Sequence, residues 1–153
     1  MPVPDFLDSN VLLYAYDASA PSKQCVAQEL VRKAVAGELI ISSQVLAEFA
    51  TTLLHRLKPP AVPADLILIL DALAPIRIIN TDGELVRRAV EAHEQYGVHF
   101  YDGMILAAAE RGECSRIWSE DLNAGQQYFG VTVTNPFAPK KHDLLIALLA
   151  DNT

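Results

Sequence analysis

Four carboxylates in this 153-residue chain are candidates for shared chemistry. Asp8 closes a short apolar segment in F-L-D-S-N-V-L-L-Y, and Glu48 lies in the second turn of a helix-periodic segment containing V-L-A-E-F. Asp102 starts an alanine-rich run, F-Y-D-G-M-I-L-A-A-A. Asp121 follows a short apolar stretch ending at Trp118, in W-S-E-D-L-N. Held close together, such groups repel, and some take up protons unless a cation neutralises them. Oxygen-only ligands suit Mg²⁺ or Mn²⁺, and Mg²⁺ keeps several waters while taking few carboxylates. Such ions lower the pKa of a water, orient it and stabilise charge on a phosphoryl group under in-line attack. The chemistry indicated is phosphodiester hydrolysis without a protein nucleophile.

What must position these groups is an alternation of strands and helices. Val3 to Leu7, Leu39 to Ile41, Ile76 to Ile79, Ser115 to Trp118 and Val131 to Thr134 read as short strands. Between them, Val11 to Tyr16, Ser22 to Ala36, Ser43 to Leu57, Ala64 to Leu73, a segment from Thr81 to Tyr96, and Tyr101 to Arg111 read as helices. Ser42 or Ser43 can cap the third of these. T-D-G-E places Glu84 three residues after Thr81 as a capping box. Gly37, Gly97 and Gly112 serve as stops. This alternation predicts an α/β fold with a mostly parallel sheet and helices on both faces. Right-handed crossovers put the strand C-termini and the following helix N-termini on one edge, where open α/β sheets bind ligands.

All four acids map to that edge, although each also has a structural explanation. Asp8 can cap the next helix, as can Ser9 or Asn10. Glu48 lies opposite the apolar stripe of Val45, Leu46, Phe49, Ala50, Leu53, Leu54 and Leu57, beside Thr52 and His55, where a solvated face accounts for it. Asp102 can interact with a helix dipole, and Asp121 can be a turn residue. Asp82 and Glu84 reach the same edge and are explained by capping alone, so position at the edge is not a sufficient criterion.

The four blocks quoted above, in this order and spacing, resemble the PIN domain family, with the greatest likeness to VapC-type toxins of bacterial toxin–antitoxin pairs. The ending V-T-V-T-N-P-F is also similar, and the likeness spans Pro4 to Phe137. The resemblance implies a three-layer α/β/α domain and Mg²⁺- or Mn²⁺-dependent cleavage of RNA. Its acidic site maps to Asp8, Glu48, Asp102 and Asp121. Asn10 matches a polar position beside the first acid, and Ser119 the small hydroxyl residue before the fourth. Glu120 adjoins Asp121 and could substitute for it or assist it. The implied partners are an RNA substrate, a cognate antitoxin and a second copy of the chain. A non-catalytic PIN-like module that binds RNA or protein is the alternative.

Composition narrows the classes further. With 51% hydrophobic and 20% charged residues, the chain reads as one globular domain over 1–153. A net charge of −7 excludes nucleic-acid binding by bulk basic charge. Cys25 and Cys114 form no C-x-x-C, which fits a reducing compartment. The first ten residues lack a signal-peptide pattern, and no apolar run reaches the ~18 residues of a membrane span, so a cytoplasmic location is expected. The four histidines lack paired ligand spacing, which disfavours zinc. No G-x-S-x-G, G-x-x-x-x-G-K or G-x-G-x-x-G occurs, which disfavours acyl transfer and nucleotide cofactors. His99 and Tyr101, near Asp102, could touch substrate, although a packed loop is the favoured reading. The apolar Ala64–Leu73 helix is expected to be buried all round or to form a subunit interface. Beyond the likeness, residues 140–153 form a C-terminal extension. Within it, Asp143 to Ala150 reads as a short apolar helix that must dock, either on its own domain or beside a groove receiving an antitoxin segment.

Overall fold

A computed structural model describes residues 3–138. Strands β1 (Asp5–Leu7), β2 (Leu39–Ser42), β3 (Arg77–Ile79), β4 (Arg116–Trp118), β5 (Gln127–Tyr128) and β6 (Val131–Thr134) form one sheet in the order β3-β2-β1-β4-β6-β5. Every pairing is parallel except that of β5 with β6. Helices α1 (Ser9–Tyr14) and α2 (Pro21–Val35) join β1 to β2, and α3 (Ser43–His55) and α4 (Pro63–Leu73) join β2 to β3. Helices α5 (Gly83–Tyr96) and α6 (Phe100–Arg111) join β3 to β4.

This order has a direct consequence for the site. The chain steps outward from β1 through β2 to β3, then returns across β1 to lay β4 on its other side. Right-handed crossovers therefore place α1–α4 on one face and α5–α6 on the other. Successive residues Phe6 and Leu7 of β1, and Ile40 and Ile41 of β2, are all buried, as expected of a sheet covered on both faces. The connections reverse between β1 and β4, opening a crevice at their C-terminal ends. Asp8 donates its backbone N–H to the Trp118 carbonyl there at 3.0 Å, so the two strand ends stay level.

One sequence expectation needs correction, and two further features add to the sequence reading. Asp82, not Thr81, caps α5: its carboxylate accepts from the Leu85 N–H at 2.9 Å and is also gripped by Arg111 at 2.8 Å. The Thr81 hydroxyl meets Ser43 Oγ of α3 instead, so the capping box is not formed. Strand β5 was not foreseen, because two residues carry no period. It exists through its antiparallel pairing with β6 across Phe129-Gly130, where Gly130 takes a φ of 78°. Of the two expectations for α4, burial all round is not met and the subunit-interface alternative stays open: Leu66 and Leu73 enter the core, while Ile67 and Leu68 are 58% and 67% exposed. The expected helix at Asp143–Ala150 lies outside the described residues. No described helix is long and apolar enough to cross a membrane.

Helix α6 is buried continuously from Gly103 to Ala109, between α5 and the sheet. Small residues allow this. A Cβ on Gly103 would stand 2.7 Å from the Ala89 carbonyl oxygen of α5, an atom of the backbone that no rotamer change can move away. Gly103→Ala is expected to lower unfolding stability by about 1–3 kcal/mol through overpacking. Urea denaturation checks this, and unchanged stability would contradict so close an approach of the two helices.

Candidate active site

Asp8 is the most constrained group at the crevice. It leaves β1 in extended conformation and occupies the N-cap of α1, so its carboxylate turns back to accept from the Ser9 N–H at 2.7 Å. Ser119, fully buried after β4, donates its Oγ–H to Asp8 at 2.8 Å. Asn10 adds its amide at 3.2 Å. Burial raises the Asp8 carboxyl to about 6, and the nearby charges of Glu48 and Asp121 push the same way, against the Ser119 and Ser9 hydrogen bonds.

Ser119 and Asn10 organise the opposite side. Ser119 Oγ accepts from the backbone N–H groups of Asp121 and Leu122, at 3.2 and 3.3 Å, and so folds the turn after β4. The Asn10 amide nitrogen donates to Asp121 at 3.1 Å while it also holds Asp8. One neutral amide thus stands between two carboxylates. Asn10 Oδ1 accepts the Glu120 N–H at 3.1 Å, which fixes the amide orientation.

Glu48 reaches the crevice from the second turn of α3. Ser9 Oγ donates to one of its oxygens at 2.8 Å and Gln44 Nε2 to the other at 2.7 Å. Gln44 also donates to the Tyr101 carbonyl at 3.1 Å, linking α3 to the first turn of α6. Asp102 sits in that turn. Partial burial raises its carboxyl, the charges of Glu48 and Asp121 raise it further, and His99 opposes them. Glu48 and Asp121 thus act on both Asp8 and Asp102 across this edge.

Glu120 is placed elsewhere. Its carboxylate accepts from Lys23 at 2.8 Å and from the Tyr14 hydroxyl at 3.1 Å, on the α1–α2 side. It is neutralised there, which leaves Asp121 as the acid of this turn that joins the crevice. Asp82 is likewise committed, to Arg111, as its structural reading requires. The sequence reading passed over Gln44, although its i,i+4 spacing to Glu48 is the signal for such a pair. Ser9 appeared there as a cap and is in fact the donor that holds Glu48. Tyr101 is not packed away but 57% exposed beside the cleft.

The candidate ligands are carboxylate oxygens, with serine hydroxyls beside them, which suits a hard divalent cation. Among the described residues no three His, Cys, Asp or Glu side chains form a ready-made cage. Hydrogen bonds to Ser9, Gln44 and Asn10 hold the acids apart. That spacing fits an ion that keeps part of its water shell and contacts few carboxylates directly.

The raised Asp8 carboxyl has a stability consequence for the metal-free protein. Folding favours its protonated form, so its contribution is fully present below the ordinary value of 3.8 and is lost as pH rises through about 6. About 1 kcal/mol of that loss falls between pH 5 and pH 7, given the change from 3.8 to about 6. In chelator, the melting temperature is expected to fall over this range, and Asp8→Asn to flatten the dependence. Parallel melting profiles for the two proteins would show that Asp8 is not the group responsible.

The PIN domain family model matches residues 6–129. No curated protein matches the chain. Among solved structures, a toxin–antitoxin complex from Klebsiella pneumoniae is similar with a TM-score of 0.64 and 19% identity, covering 87% of this chain and 98% of that one. VapBC2 from Rickettsia felis, bound to a promoter DNA fragment, gives a TM-score of 0.60 at 20% identity, covering 87% and 98%. VapC20 from Mycobacterium tuberculosis, a sarcin–ricin loop cleaving toxin, gives 0.58 at 16%, covering 76% and 91%. These likenesses concern the fold. The family match spans most of the sequence and includes the segments carrying all four acids: the chain belongs to the PIN domain family.

Proposed function

We propose that this protein is a Mg²⁺- or Mn²⁺-dependent endoribonuclease and the toxin of a toxin–antitoxin pair. The observation that carries the reading is the gathering of Asp8, Glu48, Asp102 and Asp121, from four separate segments, at the β1–β4 reversal. Membership of a nuclease family supports it, as does likeness to structures described as toxin–antitoxin complexes and as an RNA-cleaving toxin.

In this reading Asp8, Glu48 and Asp102 hold the cation, with Asp121 binding through water or completing a second site. The bound ion would supply charge stabilisation at the phosphoryl group and a more acidic water. The protein's part is to keep the oxygens aimed. Ser9, Ser119 and Asn10 fix Asp8, and Ser9 and Gln44 fix Glu48. Asp102, on which no hydrogen bond acts to lower its carboxyl, remains open to the ion.

The antitoxin reading draws support from a trough of about 480 Å³ beside the site, lined by Leu13, Tyr14, Tyr16, Leu53 and Leu57. It can take the apolar face of an amphipathic segment, whose Arg or Lys would then reach the acidic crevice. The exposed Ile67 and Leu68 of α4, with Val62 before them, we assign to a second copy of the chain. An apolar patch is self-complementary, which a two-fold contact requires.

The nuclease reading predicts RNA cleavage that depends on added Mn²⁺ or Mg²⁺ and falls by orders of magnitude in Asp8→Asn. It also predicts a higher melting temperature with Mn²⁺, with a smaller rise in Asp102→Asn. Full cleavage in chelator would refute the mechanism, and equal metal-induced shifts would remove Asp102 from the ligand set. For the second copy, sedimentation at micromolar concentration is expected to give a dimer that Leu68→Asp dissociates. A monomeric parent chain would refute that assignment.

A further inference from the structure

The cleft beside the acids has a volume of about 650 Å³, within the range of roughly 300–1,000 Å³ typical of ligand sites. Its lining includes Glu48 and Asp121, and this is an acidic wall for a polyanion to approach. Two further lining residues have the chemistry to offset that. Arg56, at the C-terminal end of α3, is the one cationic side chain of the lining among the described residues. Its guanidinium has no ion-pair partner among them; the same holds for Arg77 and Arg116, but neither lines this cleft.

Tyr101, a residue 57% exposed, lies in the same lining. Its backbone is nonetheless fixed on both sides. Its N–H donates to His99 Nδ1 at 3.2 Å, and its carbonyl accepts from Gln44 at 3.1 Å. The ring stacks on His99 at 5.8 Å between centroids and meets Phe100 edge-on at 5.4 Å. A braced, open aromatic face next to a phosphate-cleaving centre suits a nucleic-acid base, and stacking needs that base unpaired. Gln44 ties this platform to Glu48 through two hydrogen bonds of the same amide nitrogen, so the ring is held in register with the acids.

We propose that Arg56 and Tyr101 bind single-stranded RNA across this cleft, Arg56 taking a backbone phosphate beside the one cleaved and Tyr101 stacking on an adjoining base. The assignment rests on the nuclease reading for the identity of the cleaved bond. It deepens that reading by naming the residues that receive the strand.

The test uses the full chain and a short fluorescein-labelled single-stranded oligoribonucleotide. Affinity is measured by anisotropy with Mg²⁺ in the Asp8→Asn background, and KM and kcat with Mn²⁺ in the otherwise unchanged protein. Arg56→Gln is expected to weaken binding roughly tenfold at low salt and to reduce the slope of log affinity against log salt by about 0.7. Tyr101→Ala is expected to weaken binding roughly tenfold, with Tyr101→Phe restoring it. An abasic site in the oligonucleotide should cost affinity with Tyr101 present and little with alanine there. In the cleavage assay both losses should appear mainly in KM.

If the unchanged chain cuts RNA while Arg56→Gln and Tyr101→Ala match it in affinity, salt slope and KM, the two side chains serve a protein partner or none. The proposal then fails and the nuclease reading stands. If RNA binds with the expected dependence on both residues but is not cut, the nuclease reading fails and the binding assignment stands. If RNA neither binds nor is cut, both fall.

Discussion

Like charge held in a partly desolvated crevice is the constraint on which the rest of this edge depends. Asp8 is almost fully buried and faces the fields of Glu48 and Asp121. The protein could relieve this with a lysine or arginine, but a permanent cation would occupy the place that the proposed divalent ion would take. It uses neutral donors instead: a backbone N–H, two serine hydroxyls and two side-chain amides. Neutral donors fix orientation and lower repulsion without cancelling the charge. Under the proposed nuclease reading, the residual repulsion is what a divalent ion would relieve.

The fold supplies this arrangement through one reversal of direction. Asp8 and the Ser119–Asp121 turn come from adjacent parallel strands, so hydrogen bonds between β1 and β4 set their spacing. Glu48 and Asp102 come from helices on opposite faces of the sheet, and their positions depend on packing. Ser42 starts α3 by accepting the Val45 N–H, which places Glu48 on the crevice side of its second turn. Gly103, immediately after Asp102, lets α6 lie against α5, so the first turn of α6 can reach the edge. Position in the sheet sets two acids, and helix contact sets the other two.

The strand–helix alternation was legible because each long element carries its own period and stop. The four acids could be picked out together because each maps to the strand C-terminal edge and falls in a block that resembles the PIN family, since edge position alone also admits Asp82 and Glu84. What escaped the sequence was governed by contacts between distant segments. Strand β5 is defined by its partner and not by its own residues. The choice of Asp82 over Thr81 as a cap is made by Arg111, which is 29 residues away in sequence. The exposure of Ile67 and Leu68 could not be read from an apolar run, since composition does not tell which side of a helix finds a neighbour. Glu120 and Asp121 are chemically alike, and Lys23 in α2 decides between them.

The S-E-D turn after β4 behaves as a three-position selector. Its first residue is buried with its hydroxyl turned to Asp8, its second points outward to Lys23 and its third into the crevice, so two neighbouring acids acquire different fates by phase. Inserting or deleting a single residue between Trp118 and Asp121 would exchange which of them is neutralised. This turn therefore constrains chain length as well as residue identity, while the exposed loop from Asn123 to Gln126 is better placed to absorb changes in length.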